Sequence, residues 1–240
     1  GFVKYHRNDL SNGFTEVDVN SSALGWTYFA AGGDFNKDGQ VDVLTISANN
    51  NRPYYIRRTG LTSFAGAATL ASADNPRHIA VGDIDEDGNL DFVTQGSDAN
   101  NILRYMGDGS GGFSKITVDS SQDAVASIIV DLDGDNDKDI VVVAAEFSNQ
   151  NVVFYENDGS ENFSPGVSLF DTNLTQYKNH ISAEDIDDDN DMDLVVGYNS
   201  AQTGYLVNDG SENFTWVQVD TINALYTRAV DFDADGDIDL

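Results

Sequence analysis

The chain has 240 residues, with 41 acidic against 12 basic side chains and a formal net charge of −29. That balance lacks the basic footprint a nucleic-acid partner needs and disfavours an anionic membrane surface. There is no cysteine, so disulfides and thiolate metal sites are excluded. No apolar run approaches membrane-spanning length, which argues against insertion, while 13 Phe and 10 Tyr argue for a packed core rather than disorder.

In chain order, the first predicted elements are two strands, Phe2 to Arg7 and Phe14 to Val19, around a degenerate turn. An Asp-rich nonapeptide follows, Asp34-Phe-Asn36-Lys-Asp38-Gly39-Gln-Val-Asp42. The same design recurs at Asp83 to Asp91, Asp131 to Asp139, Asp185 to Asp193 and Asp231 to Asp239, with starts 49, 48, 54 and 46 residues apart. Each copy carries a carboxylate or amide oxygen at positions 1, 3, 5 and 9. These are Asp34, Asn36, Asp38, Asp42; Asp83, Asp85, Asp87, Asp91; Asp131, Asp133, Asp135, Asp139; Asp185, Asp187, Asp189, Asp193; and Asp231, Asp233, Asp235, Asp239. Position 6 is Gly or Asn. Oxygen ligands at alternate positions around a forced turn suit a hard cation of flexible geometry, which points to Ca²⁺, up to five ions.

Each loop is entered from an apolar stretch and left through a β-branched one, as in His78-Ile-Ala-Val-Gly before the second copy and Ile140-Val-Val-Val after the third. Such runs are strands, so each loop is the turn of a β-hairpin. An EF-hand is excluded, since its position 12 must be Glu and here it is Thr45, Thr94, Val142 or Val196. A second signal keeps the same beat. Tyr105 to Phe113, Tyr155 to Phe163 and Tyr205 to Phe214 each read strand, Asp-Gly turn, strand, and Tyr5 to Phe14 and Tyr54 to Phe64 are degenerate versions.

Each period of about fifty residues therefore holds four short strands, the make-up of a propeller blade. The predicted fold is an all-β propeller of four-stranded antiparallel blades. Its single domain, 1–240, divides at approximately 26–71, 76–119, 124–171, 179–220, and 225–240 joined with 1–20. Because the chain opens on strands three and four and closes on strand one and part of two, five blades closed by pairing the terminal half-blades is the expectation. The competing reading is a fragment of a longer propeller.

The paired Asp-x-Asp-x-Asp-Gly-x-x-Asp loops and Gly-x-x-Phe turns resemble the FG-GAP/VCBS repeat, the blade unit of the integrin alpha-subunit head and of many secreted bacterial proteins. The resemblance implies a Ca²⁺-bound propeller outside the cell, used for adhesion or ligand binding and sometimes as an accessory to an enzyme. It also adds position 7 as a backbone-carbonyl ligand: Gln40, Asn89, Asp137, Asp191 and Asp237. Asn36 departs from the pattern at position 3, and Asn136 and Asn190 depart at position 6.

Weak all-oxygen sites fill at the roughly millimolar Ca²⁺ outside cells, so the expected location is extracellular, secreted or at the cell surface. Gly-Phe-Val-Lys-Tyr-His-Arg is no signal peptide, so on this reading one was removed beforehand. His6, His78 and His180 lie in no local motif with a nucleophile, and no glycine-rich turn follows a strand and opens a helix, so no enzyme activity is expected. The face opposite the loops gathers Trp26, Tyr28, Arg77, His78, Tyr177, Asn179, His180, Tyr226 and Arg228, groups that suit an extracellular protein or glycan ligand. The leading function is a non-enzymatic adhesion or recognition module. Two alternatives stay open: a structural subunit that self-assembles through the incomplete fifth blade, and an accessory domain of a carbohydrate-active enzyme.

Overall fold

The computed structural model describes residues 3–9, 13–19, 24–47, 49–144, 150–160, 162–172, 178–198, 203–211, 213–221 and 227–240. Those residues form strands, turns and bends, and no helix is present among them. A short hairpin, β1 (Lys4–Asn8) with β2 (Phe14–Asp18), comes first. Four antiparallel sheets follow, each with its strands in chain order from one edge to the other.

The first sheet holds β3 (Thr27–Gly33), β4 (Asp42–Ser47), β5 (Arg52–Ile56) and β8 (Ala68–Thr69); a side hairpin, β6 (Arg58–Gly60) with β7 (Ser63–Phe64), interrupts it. The second holds β9 (Pro76–Gly82), β10 (Asp91–Gly96), β11 (Asn101–Gly107) and β12 (Phe113–Asp119). The third holds β13 (Ala124–Val130), β14 (Asp139–Ala144), β15 (Gln150–Tyr155) and β16 (Val167–Thr172). The fourth holds β17 (Lys178–Glu184), β18 (Asp193–Tyr198), β19 (Thr203–Asn208) and β20 (Phe214–Asp220). At the C-terminal end, Val230 and Asp239 form an antiparallel bridge.

The first sheet departs from the regular pattern of four strands. Its outer half has no Asp-Gly turn, and after Arg57 the chain makes the side hairpin before β8 pairs briefly with β5. A recurring irregularity was also invisible in the pattern. In all four sheets the ladder between the first two strands shifts register near the start of the first strand, as between Thr27 and Phe29 or between Ala124 and Ala126. Such a bulge increases local twist. At two of the four, a buried threonine hydroxyl donates to the first strand: Thr45 to the Phe29 carbonyl at 2.8 Å and Thr94 to the His78 carbonyl at 2.7 Å.

The second strands read as unbroken apolar runs because both of their faces are covered. Asp-Ile-Val-Val-Val-Ala of β14 is buried at every position. The core is accordingly divided into layers between consecutive sheets. Leu44, Ile46 and Tyr55 of the first sheet meet Ile79, Phe92 and Tyr105 of the second. Val93 and Ile102 then meet Ile140 and Val142, and Val141 and Phe154 meet Ile181, Leu194 and Val196. Tyr54 and Ile56 meet Val19 and Leu24 beside the N-terminal hairpin. The first strands β3, β9, β13 and β17 lie side by side. Residues from all four, together with Arg228 and Ala229, line one channel. The described arrangement is propeller-like: radially stacked four-stranded sheets around an axis.

Candidate metal centres

Each acidic loop joins the first strand of a sheet to the second, and its backbone is built by its own side chains. The position 1 carboxylate accepts from the position 6 amide in all five copies: Gly39 to Asp34, Gly88 to Asp83, Asn136 to Asp131, Asn190 to Asp185 and Gly236 to Asp231. The position 5 carboxylate accepts from the position 7 amide, as Gln40 to Asp38 at 2.9 Å and Asp137 to Asp135 at 2.9 Å. The bonds that span two residues are Asx turns, and with the longer position 1 bonds they favour Asp at these positions before any metal is considered.

Position 6 has positive φ in every copy, from 73° at Asn190 to 102° at Gly236, which is the reason for Gly or Asn there. Position 4 is left-handed as well, at Lys37, Glu86, Gly134, Asp188 and Ala234. Only Gly134 signals that in the sequence.

Position 9 has a second role that spacing does not reveal. Asp42, Asp91, Asp139 and Asp193 have no solvent exposure, and each carboxylate clamps two distant segments. Asp139 accepts from Leu132 N within its loop and from Asn157 N at the end of the third strand, both at 2.9 Å. Asp91 does the same with Ile84 and Gly107, and Asp193 with Ile186 and Asn208. Asp42 accepts from Arg58 N and from the Tyr55 hydroxyl, both at 2.7 Å. In the fifth loop Asp239 accepts from Phe232 N at 3.0 Å. The last aspartate thus closes its loop and ties it to the neighbouring hairpin.

The loops also abut the Asp-Gly turns. A Cβ on Gly109, Gly159 or Gly210 would meet the side-chain oxygens of Asn89, Asp137 or Asp191 at position 7, so turn and loop lie in close contact, while the positive φ of each glycine is what favours glycine there. Acidic loops and Asp-Gly turns therefore share one face. Asn157 and Asn208, which immediately precede two of those turns, reach across to the preceding sheet. Asn157 Nδ2 donates to Ile84 O of the second loop at 3.3 Å and to Lys138 O of the third at 3.1 Å. Asn208 Nδ2 donates to Leu132 O at 3.1 Å and Met192 O at 3.3 Å. Neither residue was singled out by the motif; its only sequence signal is Asn before Asp-Gly in two copies.

The donor set fits a hard cation. In four loops, carboxylate oxygens of three aspartates lie within 4.8 Å of one another: Asp83, Asp85, Asp91; Asp131, Asp133, Asp139; Asp185, Asp187, Asp189; and Asp231, Asp233, Asp239. In the first loop Asn36 supplies an amide in place of a carboxylate. Asp83 Oδ1 is buried without a hydrogen-bond partner. Burial pushes the Asp91 carboxyl up to about 6 and the Asp139 carboxyl up to about 7, and the neighbouring aspartates push the same way. Burial likewise raises Asp42 and Asp193. A divalent cation among these oxygens would offset that penalty.

Of the residues expected on the opposite face, His78, His180 and Arg228 come together on the channel wall. Trp26 and Tyr28 are 72% and 61% exposed and, with Arg77, do not line it. Tyr177 and Tyr226 lie outside the described residues, as does the side chain of Asn179.

No curated protein matches the chain. Among solved structures, a protein from Lactobacillus plantarum superposes with a TM-score of 0.60 at 12% identity, covering 93% of this chain and 65% of the other. BBS1N, solved in complex with ARL6DN, gives a TM-score of 0.53 at 11% identity, covering 92% of this chain and 61% of the other. This chain spans less than two thirds of either relative, and at such identities the likeness is one of fold. The FG-GAP-like repeat matches residues 34–94, 84–142 and 131–196, each beginning at or one residue past the first aspartate of a loop. With most of its length accounted for by the loop-and-hairpin unit just described, the chain belongs to the FG-GAP-like repeat family.

Proposed function

We propose that this protein is an extracellular, calcium-braced propeller that recognises a ligand without catalysing a reaction. The observation that carries the metal reading is the clustering of aspartate oxygens within 4.8 Å in four loops of one design. Ligands would come from positions 1, 3, 5 and 9 and the position 7 carbonyl, as in Asp131, Asp133, Asp135, Asp139 and Asp137. The position 9 oxygens already accept amide protons, but each keeps a second lone pair. Calorimetric titration of chelator-stripped protein with Ca²⁺ tests this. Several ions bound per chain are expected, and no heat of binding at millimolar Ca²⁺ would overturn it.

The ring on this reading has five blades and closes through the terminal segments. Phe35, Ile84 and Leu132, at position 2 of their loops, are at most 2% exposed because each is seated between its own sheet and the next. Phe232 holds the same position and is 85% exposed. A cavity of about 300 Å³ lined by Tyr5, Val41, Val43 and Phe64 lies beside the N-terminal hairpin, on the open side of the first sheet. Seating Phe232 there would complete the layer.

The same open side favours one second reading, assembly through a strand donated by another molecule. Light scattering separates the two: monomers at all concentrations argue for closure within one chain, and concentration-dependent oligomers argue for assembly.

A further inference from the structure

The N-terminal hairpin repeats the outer half of a blade in register. Asp9 N donates to Gly13 O at 2.8 Å, as Asp108, Asp158 and Asp209 donate to Gly112, Asn162 and Asn213. Asn8 faces Phe14 across β1 and β2, as Gly107 faces Phe113, Asn157 faces Phe163 and Asn208 faces Phe214. Asn8 therefore stands where Asn157 and Asn208 stand, immediately before the turn aspartate. The hairpin also packs where the outer half of a blade would, with Tyr5 and Val19 against Tyr54 and Ile56 of the first sheet.

The fifth acidic loop carries the matching inner half. In the first four loops the position 9 carboxylate accepts an amide from the end of the third strand: Arg58 to Asp42, Gly107 to Asp91, Asn157 to Asp139 and Asn208 to Asp193. Asp239 accepts from Phe232 N but is exposed, whereas its four counterparts have no solvent exposure. Asn8 is exposed as well, whereas Asn157 and Asn208 are 2% and 1% exposed. Residues 228–229 line the axial channel beside Phe29 and β17, so the strand entering the fifth loop already stands at the axis.

We infer that Asn8 is the latch that closes the ring. Its backbone amide donates to Asp239, and its side-chain amide donates to Ile238 O of the fifth loop and Ile186 O of the fourth. Two complete examples set this assignment. Asn157 Nδ2 donates to the position 8 carbonyl of its own loop, Lys138 O, and to the position 2 carbonyl of the preceding loop, Ile84 O. Asn208 Nδ2 does the same with Met192 O and Leu132 O. One sheet further on, positions 8 and 2 are Ile238 and Ile186. The hydrogen-bonded series that runs from the second loop to the fourth then continues into the fifth, and the β1 edge turned away from β2 meets this chain's own C-terminal loop. An apolar residue at position 8 of the chain would leave both carbonyls stripped of water and unpaired, a state buried backbone oxygens rarely occupy. This inference rests on closure within one chain and names the residue that makes it.

The chain has no cysteine, so an engineered pair reports the contact. Continuing the ladders of the third and fourth sheets by two residues sets Lys138 opposite Asn157 and Met192 opposite Asn208. The same register sets Ile238 opposite Asn8 in a closed ring. Opposite Cα atoms of an antiparallel pair lie about 4.5–5.5 Å apart, within disulfide range. Mild oxidation of Ca²⁺-loaded Asn8→Cys/Ile238→Cys is expected to give an intrachain disulfide in most molecules, read by mass spectrometry and non-reducing gels. Asn8→Cys/Ala234→Cys, which is out of register, should stay reduced. Asn8→Ala is expected to melt at least about 4 °C below wild type, a shift that an exposed residue outside such a contact does not give. Equal oxidation of the two pairs, or no disulfide in the first, overturns the latch. An Asn8→Ala protein that melts with wild type also overturns it, and if the disulfide still forms, closure itself survives. Disulfides between chains would instead overturn closure within one chain and leave assembly through the same edge.

Discussion

Truncating Asn157 to alanine tests whether adjacent acidic loops are tied together by side chains from the next sheet. Asn157 is 2% exposed, and its Nδ2 bonds two carbonyls, Ile84 O on the second loop and Lys138 O on the third. Alanine removes both bonds while the Asn157 backbone amide keeps its 2.9 Å bond to Asp139. A neutral hydrogen bond contributes about 0.5–1.5 kcal/mol net, and a carbonyl stranded away from water costs about 1–3 kcal/mol. The expected loss is therefore about 2–4 kcal/mol. For a domain of this length each kcal/mol moves the melting temperature by about 2–4 °C, giving a fall of roughly 4–16 °C. Differential scanning calorimetry in saturating Ca²⁺ reads it. Asn162→Ala is the control, since that side chain bonds only Asp158 in an exposed turn, and it should shift melting by less than about 2 °C. Equal shifts in the two variants, or an Asn157→Ala protein that melts with wild type, would refute the tie.

Removing calcium should destabilise the fold strongly. With sites of Kd about 10⁻⁴ M and 2 mM Ca²⁺, linkage supplies about 1.8 kcal/mol per filled site, and an unchanged melting curve in excess chelator would contradict the metal assignment. Gly39→Ala should cost about 1–2 kcal/mol, because φ is +80° and no atom lies near the new methyl. Ala234→Gly, at φ 62°, should instead be neutral or gain up to about 1 kcal/mol; urea unfolding would show both, and the opposite signs would dismiss the left-handed turns as a source of strain. His78 titrates near 4 when folded, below its ordinary 6.5, because it is buried and faces His180. The unfolded chain therefore takes up that proton first, so this group's stability is complete above pH 6.5 and falls as the pH drops towards 4. The lost amount is at most about 3 kcal/mol. Chemical unfolding from pH 7 to 4 should show a shallower decline in His78→Gln, and parallel declines would rule the histidine out. Phe232→Ala tests closure: a seated ring costs about 3–5 kcal/mol on truncation, whereas wild-type stability would leave that side of the ring open.

The repeat, the strands and the turn conformations were legible because each rests on local chemistry. Position 6 reads as Gly or Asn since only those residues take φ near +75° to +100° readily, and the runs after each loop read as strands through their β-branched residues. The side hairpin in the first sheet was not legible, because Arg58 to Phe64 resembles a degenerate Asp-Gly turn until the missing Asp turn is seen to let the chain diverge. Nor was the left-handed position 4, where Lys37, Glu86, Asp188 and Ala234 are held by Asx hydrogen bonds from their neighbours rather than by their own preference. The channel was legible only in part. His78, His180 and Arg228 were marked by residue type, but the serine and aliphatic residues beside them carry no signal of their own in the sequence.

The least visible feature, the double use of position 9, explains why the metal motif and the blade recur together. A carboxylate that served only as a ligand would tolerate any hairpin around it. Asp139 instead holds Leu132 of its loop and Asn157 of the third strand at once, so loop closure and sheet registry are set by the same two oxygens. Asn157 then extends the connection to Ile84 in the preceding loop, and Asn208 repeats it one sheet on, reaching Leu132. The second, third and fourth loops thus form one hydrogen-bonded series around the face, with each link crossing a layer of the core. A cation bound in one loop would therefore act on the anchor of the next, and sheets that contact only their neighbours gain a second, polar continuity beside the apolar one.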